Sequence, residues 1–308
     1  MKFGSDKLFS VICSHYLHNI TNKHAAFWVM GKLLTVRERK MAKITTKNIT
    51  CESGLPALIT IPADTSRPLP AIVLMHERYG LVKHSMDLAE RFAGDGFVCI
   101  APDCFFKHTN QDALHAGDDR YDITDDEAAE HLTTAINVLE SMKEVNNNSI
   151  AVKGVCQTGR HPLIIAAKKK IAAALVWYGA AQDREWESNE LYKEPLADVI
   201  EKIDCPVLGV FGEADHMISL DHVRRFRNCF EEKRKTYSIH VLPGAPHGWL
   251  NDTMPGRYRR EQAETAWRIQ RDFLREVLSP VYDRNEVKWN FESISAVNYD
   301  FSKNVRQE

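Results

Sequence analysis

The chain has 308 residues, of which 44% are apolar and 27% charged, enough for one large α/β domain or two small ones. Its net charge of −2 supplies no field for holding nucleic acid or an anionic membrane, so neither is expected as a partner. No stretch approaches the ~20 consecutive apolar residues of a membrane span. Seven cysteines at irregular spacing, with no C-x-x-C pair, argue against a disulfide framework and against zinc-ribbon or thioredoxin-type sites.

Residues 1–42 are basic and sparse in acids, with apolar pieces shorter than a signal-peptide core, and are expected to be an extension of uncertain order. Met30 and Met41 could each be a true start. Leu55 to Ile61 reads as an early strand. Ala71 to Met75 reads as a short strand buried on both faces, followed by the loop His76-Glu77-Arg78-Tyr79-Gly80. Met86, Leu88, Ala89 and Phe92 recur at helical spacing until Gly94-Asp95-Gly96. Phe97 to Ala101 is a second buried strand, Phe105 to Thr124 a polar excursion without period, and Glu127 to Val145 a helix. Ile150 to Val152 begins the strand that leads to Cys156. Ile171 to Tyr178, Pro206 to Phe211 and Tyr237 to Leu242 read as further strands. Helices are expected between Ser219 and Lys233 and from Arg257 to Leu278. Such alternation implies a mostly parallel sheet with helices on both faces, in one domain from 43 to 278. The aromatic-rich tail from 279 to 308 is expected to pack on a surface.

The segment from Ser149 to Gly159 reads as strand, sharp turn and helix, with Cys156 at the turn. A turn of this kind lifts a nucleophile above the sheet edge, where the helix N-terminus favours a thiolate. The Gln157 N–H is placed to meet an oxyanion there. In a doubly wound sheet chemistry collects at the carboxyl ends of the strands. Glu77, Cys156, Asp215 and His247 each follow one. The chain order nucleophile, acid, histidine is that of α/β-hydrolase triads. A free thiol of pKa ~8.5 is a few per cent ionised at pH 7, so a base must take its proton. His247 is the candidate base, and Asp215 the group that orients it.

These motifs resemble the dienelactone hydrolase (carboxymethylenebutenolidase) family, whose hallmark is a Cys–His–Asp triad on an α/β-hydrolase core. The most specific pieces are V-L-M-H-E-R-Y-G-L around Glu77, G-V-C-Q-T-G-R around Cys156, V-F-G-E-A-D around Asp215 and P-G-A-P-H-G-W around His247. The helix R-Y-R-R-E-Q-A-E-T-A-W-R is also similar. The resemblance implies that Glu77 contacts the nucleophile and helps ionise it as substrate binds, and that the Arg78 N–H joins that of Gln157 in an oxyanion hole. Arg120, Tyr79 and Trp249 are weaker candidates for substrate contact. Arg257 is a further one, read more simply as a solvated charge.

Three departures stand out. Thr158 replaces a glycine, so strand and helix are expected to pack less closely. Pro162 implies a late or kinked helix start. Asn251 stands four residues beyond His247, where the family has an arginine. The histidines show no metal-ligand spacing, so neither a metal nor a cofactor is expected. The expected function is a cytoplasmic carboxylesterase or lactone hydrolase working through an acyl-thioester on a small-molecule substrate. The alternatives are a binding or scaffold protein of the same fold without turnover, and a thiol redox sensor. The sequence leaves the oligomeric state open.

Overall fold

In the third strand Ala71 and Val73 face one hydrophobic cluster, Ile72 and Leu74 face another, and all four are fully buried. An apolar residue at every position suits a strand covered on both faces. The computed structural model describes residues 43–295, and the expected extension 1–42 lies outside them. Its strands are β1 (Ile44–Thr50), β2 (Pro56–Pro62), β3 (Leu69–Leu74), β4 (Val98–Pro102) and β5 (Val145–Val155), then β6 (Ala173–Trp177), β7 (Val207–Gly212), β8 (Tyr237–Leu242) and β9 (Trp289–Ser293). They form one sheet in the order β1-β2-β4-β3-β5-β6-β7-β8-β9. β1 pairs antiparallel with β2, and β2 antiparallel with β4; every other pairing is parallel.

The helices are α1 (Lys83–Gly94), α2 (Gln111–Ala116), α3 (Asp125–Glu140), α4 (His161–Lys168), α5 (Leu196–Glu201), α6 (Leu220–Glu232) and α7 (Arg260–Val277). Leu88 and Phe92 of α1 and Trp267 and Leu274 of α7 cover one face of the sheet. Leu132 of α3, Leu163 of α4, Val199 of α5 and Phe226 of α6 cover the other. The Thr124 hydroxyl caps α3 by accepting from Glu127 N at 3.2 Å, and Ser219 caps α6 from His222 N at the same distance. This is the fold of the α/β-hydrolases.

Two expectations need correction and a third holds. The aromatic tail does more than lie on a surface: Trp289–Ser293 adds a ninth strand beside β8. The Arg284 guanidinium ties the connection down, donating to Ala172 O and Val277 O, each at 3.1 Å. Thr158 does not loosen the turn after β5. A Cβ on Gly154 would stand 2.3 Å from Thr158 O, and one on Gly159 2.5 Å from Gly179 Cα, so the backbones there are already in contact. Helix α4 does start late, with Pro162 in its first turn, where a missing N–H costs nothing.

Candidate active site

Parallel pairing brings the carboxyl ends of β3, β5, β6, β7 and β8 to one edge. Glu77 lies in the loop after β3, Cys156 directly follows β5, Tyr178 follows β6, Asp215 follows β7 and His247 follows β8. The turn at Cys156 holds it at φ 58°, a conformation L residues adopt at a cost on the order of 1 kcal/mol or more. Thr158 offsets that cost. Its hydroxyl accepts from Val155 N at 3.1 Å and donates to His76 O at 2.8 Å, which joins the turn to the loop carrying Glu77 and Arg78. His76 fixes the same loop from inside. Its Nε2 accepts from Cys104 N at 3.0 Å, which leaves Nδ1–H to donate to Glu77 O at 2.8 Å. Burial holds the His76 pKa below the usual histidine value, in keeping with that neutral tautomer.

Cys156 Sγ lies 3.1 Å from His247 Nε2, and His247 Nδ1 lies 2.9 Å from Asp215 Oδ2. The other Asp215 oxygen accepts from Met217 N at 2.8 Å and Ile218 N at 3.0 Å, so the carboxylate cannot turn. His247, Asp215 and Glu77 are 4–5% exposed, whereas Cys156 is half-buried. Burial works against a charge on His247, but Asp215 and the Cys156 sulfur outweigh it and hold the imidazole pKa well above its usual value. By contrast, burial pushes the thiols of Cys99 and Cys104 far up, and that of Cys205 up to about 12.

Glu77 is held by two neutral donors. Its Oε1 accepts from Tyr178 OH at 2.8 Å and its Oε2 from Asn251 Nδ2 at 2.6 Å. The hydrogen bond to the sulfur comes from His247 instead of Glu77. Asn251 Oδ1 in turn accepts from Thr253 N at 3.1 Å and Thr253 Oγ1 at 2.6 Å. Two neutral donors thus occupy both carboxylate oxygens.

Cys156 and His247 open on a cavity of about 240 Å³. Gln157, Arg78, Tyr79 and Arg120 line it. Arg78 is anchored through Nη2 to Gly117 O at 2.8 Å, and Arg120 pairs with Asp122. Trp249 does not face substrate. It is fully buried, tilted against Trp177 at 5.4 Å and edge-on to Tyr178 at 5.1 Å between ring centroids. Arg257, read as a solvated charge, is 8% exposed and forms part of the cavity wall. Tyr178 was missed because it ends an apolar strand run and reads as core. Among the described residues no group of three or more His, Cys, Asp or Glu side chains is arranged to hold a metal ion. No helix among them is long and apolar enough to cross a membrane.

The overall architecture recurs in solved structures. A provisionally named dienelactone hydrolase from Klebsiella pneumoniae superposes with a TM-score of 0.68 at 23% identity, covering 75% of this chain and 98% of its own. Est1E from Butyrivibrio proteoclasticus does so with a TM-score of 0.56 at 16% identity, covering 76% and 98%. The fold and the sheet-edge constellation define an α/β-hydrolase. The dienelactone hydrolase family model matches residues 55–278, and the chain belongs to that family, whose members are hydrolases of ester bonds. A protein of Methylorubrum extorquens, provisionally named carboxymethylenebutenolidase, is 25% identical over 228 residues, covering 72% of this chain and 77% of that one. Its namesake in Yersinia pestis is 26% identical over 233 residues, covering 71% and 83%.

Proposed function

We propose that this hydrolase cleaves carboxylic esters or lactones through an acyl-thioester on Cys156, with His247 as general base and acid and Asp215 as its orienting carboxylate. The observation that carries the reading is the unbroken chain Sγ, Nε2, Nδ1, Oδ2 with links of 3.1 and 2.9 Å, half-open to a cavity. The raised imidazole pKa favours a proton on His247, which can therefore take the one that Cys156 gives up as it attacks.

The thiolate attacks the carbonyl carbon, and the carbonyl π pair moves onto oxygen. The N–H groups of Gln157 and Arg78 are assigned to that oxyanion. Collapse breaks the C–O ester bond, and the leaving alkoxide takes the His247 proton. Neutral His247 then deprotonates a water, whose hydroxide attacks the thioester and expels the thiolate. The proton returned to His247 restores the starting state. A thiolate leaves a tetrahedral intermediate more readily than an unprotonated amine, so activated esters and enol lactones suit this nucleophile better than peptides. Thr158 and Asn251, the departures that favoured a protein without turnover, are both hydrogen-bonded into the site.

Cys156→Ala or His247→Ala should lower kcat on a short-chain aryl ester by at least ~10⁴. Asp215→Asn should cost somewhat less. Activity surviving in Cys156→Ala refutes the assignment.

A further inference from the structure

Past β6 the backbone makes an unusual turn. Ala180 and Ala181 hold φ of 58° and 70°, and a short helical turn, Asp183–Glu185, follows. That turn places Glu185 in the wall of the cavity that also holds Cys156. Its carboxyl is 5% exposed, and Oε2 has no hydrogen-bond partner. A buried polar group left unpaired costs more than a typical hydrogen bond contributes, so it calls for an explanation.

The cation that could pair with it is committed elsewhere. Arg160 Nε donates to Asp125 Oδ1, and Nη2 to Asp125 Oδ2, both at 3.0 Å. Nη2 also bonds Glu194 O at 2.6 Å. Nη1 reaches the backbone oxygen of Glu185 at 3.2 Å, but lies 3.8 Å from its Oε2. Arg160 therefore positions the Glu185 main chain and leaves the buried Oε2 without a hydrogen-bond donor, in a residue that lines the cavity.

We infer that Glu185 recognises a free hydroxyl on the substrate, so that the natural substrate is a hydroxylated ester or lactone. This rests on the hydrolase reading above. A hydroxyl both donates and accepts, and so pairs with the carboxyl in either protonation state. A substrate carboxylate in the same place would face Glu185 and, behind it, Asp125. Burial pushes the Glu185 pKa up to about 7, against the pull of Arg160 and Arg184 and with a smaller push from Asp125. Tyr192, whose own pKa is raised by burial and then by Glu185, is the remaining titratable neighbour. Above that pH the ionised carboxylate accepts a stronger, charge-assisted bond.

The test uses the full chain and matched substrates: aryl esters of ω-hydroxy acids and glycerol monoesters, each beside its deoxy analogue, and aryl half-esters of dicarboxylic acids. The readout is the ratio of kcat/KM values, corrected for spontaneous hydrolysis, which cancels titrations common to both substrates. The native protein should favour at least one hydroxylated member by about 10- to 100-fold. That ratio should rise as pH increases through about 7. Glu185→Leu should bring it near one, and Glu185→Gln should keep a preference but flatten its pH dependence. A ratio unmoved by Glu185→Leu, or a Glu185-dependent preference for the half-esters, overturns the inference. Should Glu185→Leu fail to fold, an unchanged pH dependence in Glu185→Gln overturns it equally. Failure of the native protein to hydrolyse any of these esters would instead refute the hydrolase reading.

Discussion

Asn251 donates its side-chain amide to Glu77 Oε2 across 2.6 Å, holding a carboxylate beside the candidate nucleophile with a neutral group. The two residues lie 174 positions apart, joined only because β3 and β8 end at the same sheet edge. Asn251 and Tyr178 together occupy both carboxylate oxygens, so the orientation of Glu77 is set before any substrate arrives.

Asn251→Ala removes one of those anchors and leaves a nearly buried carboxylate oxygen without its donor. A loss on the order of 1–3 kcal/mol is expected, read as a fall of about 10- to 100-fold in kcat/KM on an aryl ester. Tyr178→Phe should act in the same direction. A melting curve run beside the kinetics separates loss of fold from loss of orientation.

The raised pKa of His247 has a signature in thiol chemistry. Alkylation of Cys156 by iodoacetamide at pH 6 to 7 should be faster in the native protein than in His247→Ala, because an imidazole of raised pKa takes the thiol proton. In His247→Ala the rate should follow an ordinary thiol, rising toward pH ~8.5. The same shift bears on stability. A histidine whose folded pKa exceeds its unfolded value stabilises fully below about pH 6.5, and that contribution is lost as pH rises through the folded pKa.

The buried histidines work in the opposite sense. His161 is 1% exposed with neither ring nitrogen bonded, and burial, then Arg160, pull its pKa down to about 3. Burial lowers His76 and His131 as well. Each depressed histidine takes up a proton on unfolding once pH falls below about 6.5. Its contribution is present above that value and is lost on acidification, by up to about 1.4 kcal/mol per pH unit per group. Melting temperature should drop steeply between pH 6.5 and 4.5, and His161→Phe should make that drop shallower.

Lys153 sits in β5 with no exposed surface, its Nζ donating to Gln270 Oε1 at 2.6 Å and lying 3.0 Å from the Trp177 ring centroid. Burial brings its pKa well below the ordinary lysine value, although the surrounding rings favour the cation. Above that lowered pKa, folding must shed a proton that the unfolded lysine keeps up to about pH 10. Replacing Lys153 and Gln270 together, by Met and Leu, should raise the melting temperature at pH 7. It should also remove a gain in stability expected of the native protein as pH rises toward about 10.

Much of this fold was legible because strands covered on both faces leave short, wholly apolar runs, as β3, β4 and β7 do. The edges were not. β1 reads I-T-T-K-N-I-T and is largely exposed, and β9 likewise, so neither shows the apolar pattern of a core strand. The four site residues were readable because each stands just past a strand, where parallel topology collects side chains. What escaped depends on contacts across the chain. Asn251 was visible only as a missing arginine, since nothing local says that its amide reaches Glu77. Trp249 looked like a pocket residue from its neighbourhood to His247, yet the turn through Gly248, at φ 79°, leaves it in the core. Glu185 stands in the charged run D-R-E, which reads as surface until the turn after β6 buries it.

The central claim is tested most directly by rapid acid quench and mass spectrometry of the full chain mixed with an aryl ester that deacylates slowly. The account expects one acyl group on Cys156 within the first turnover, formed with a stoichiometric release of the aryl alcohol and absent from Cys156→Ala. Steady hydrolysis with no mass added at Cys156, or with the acyl group on another residue, would contradict it.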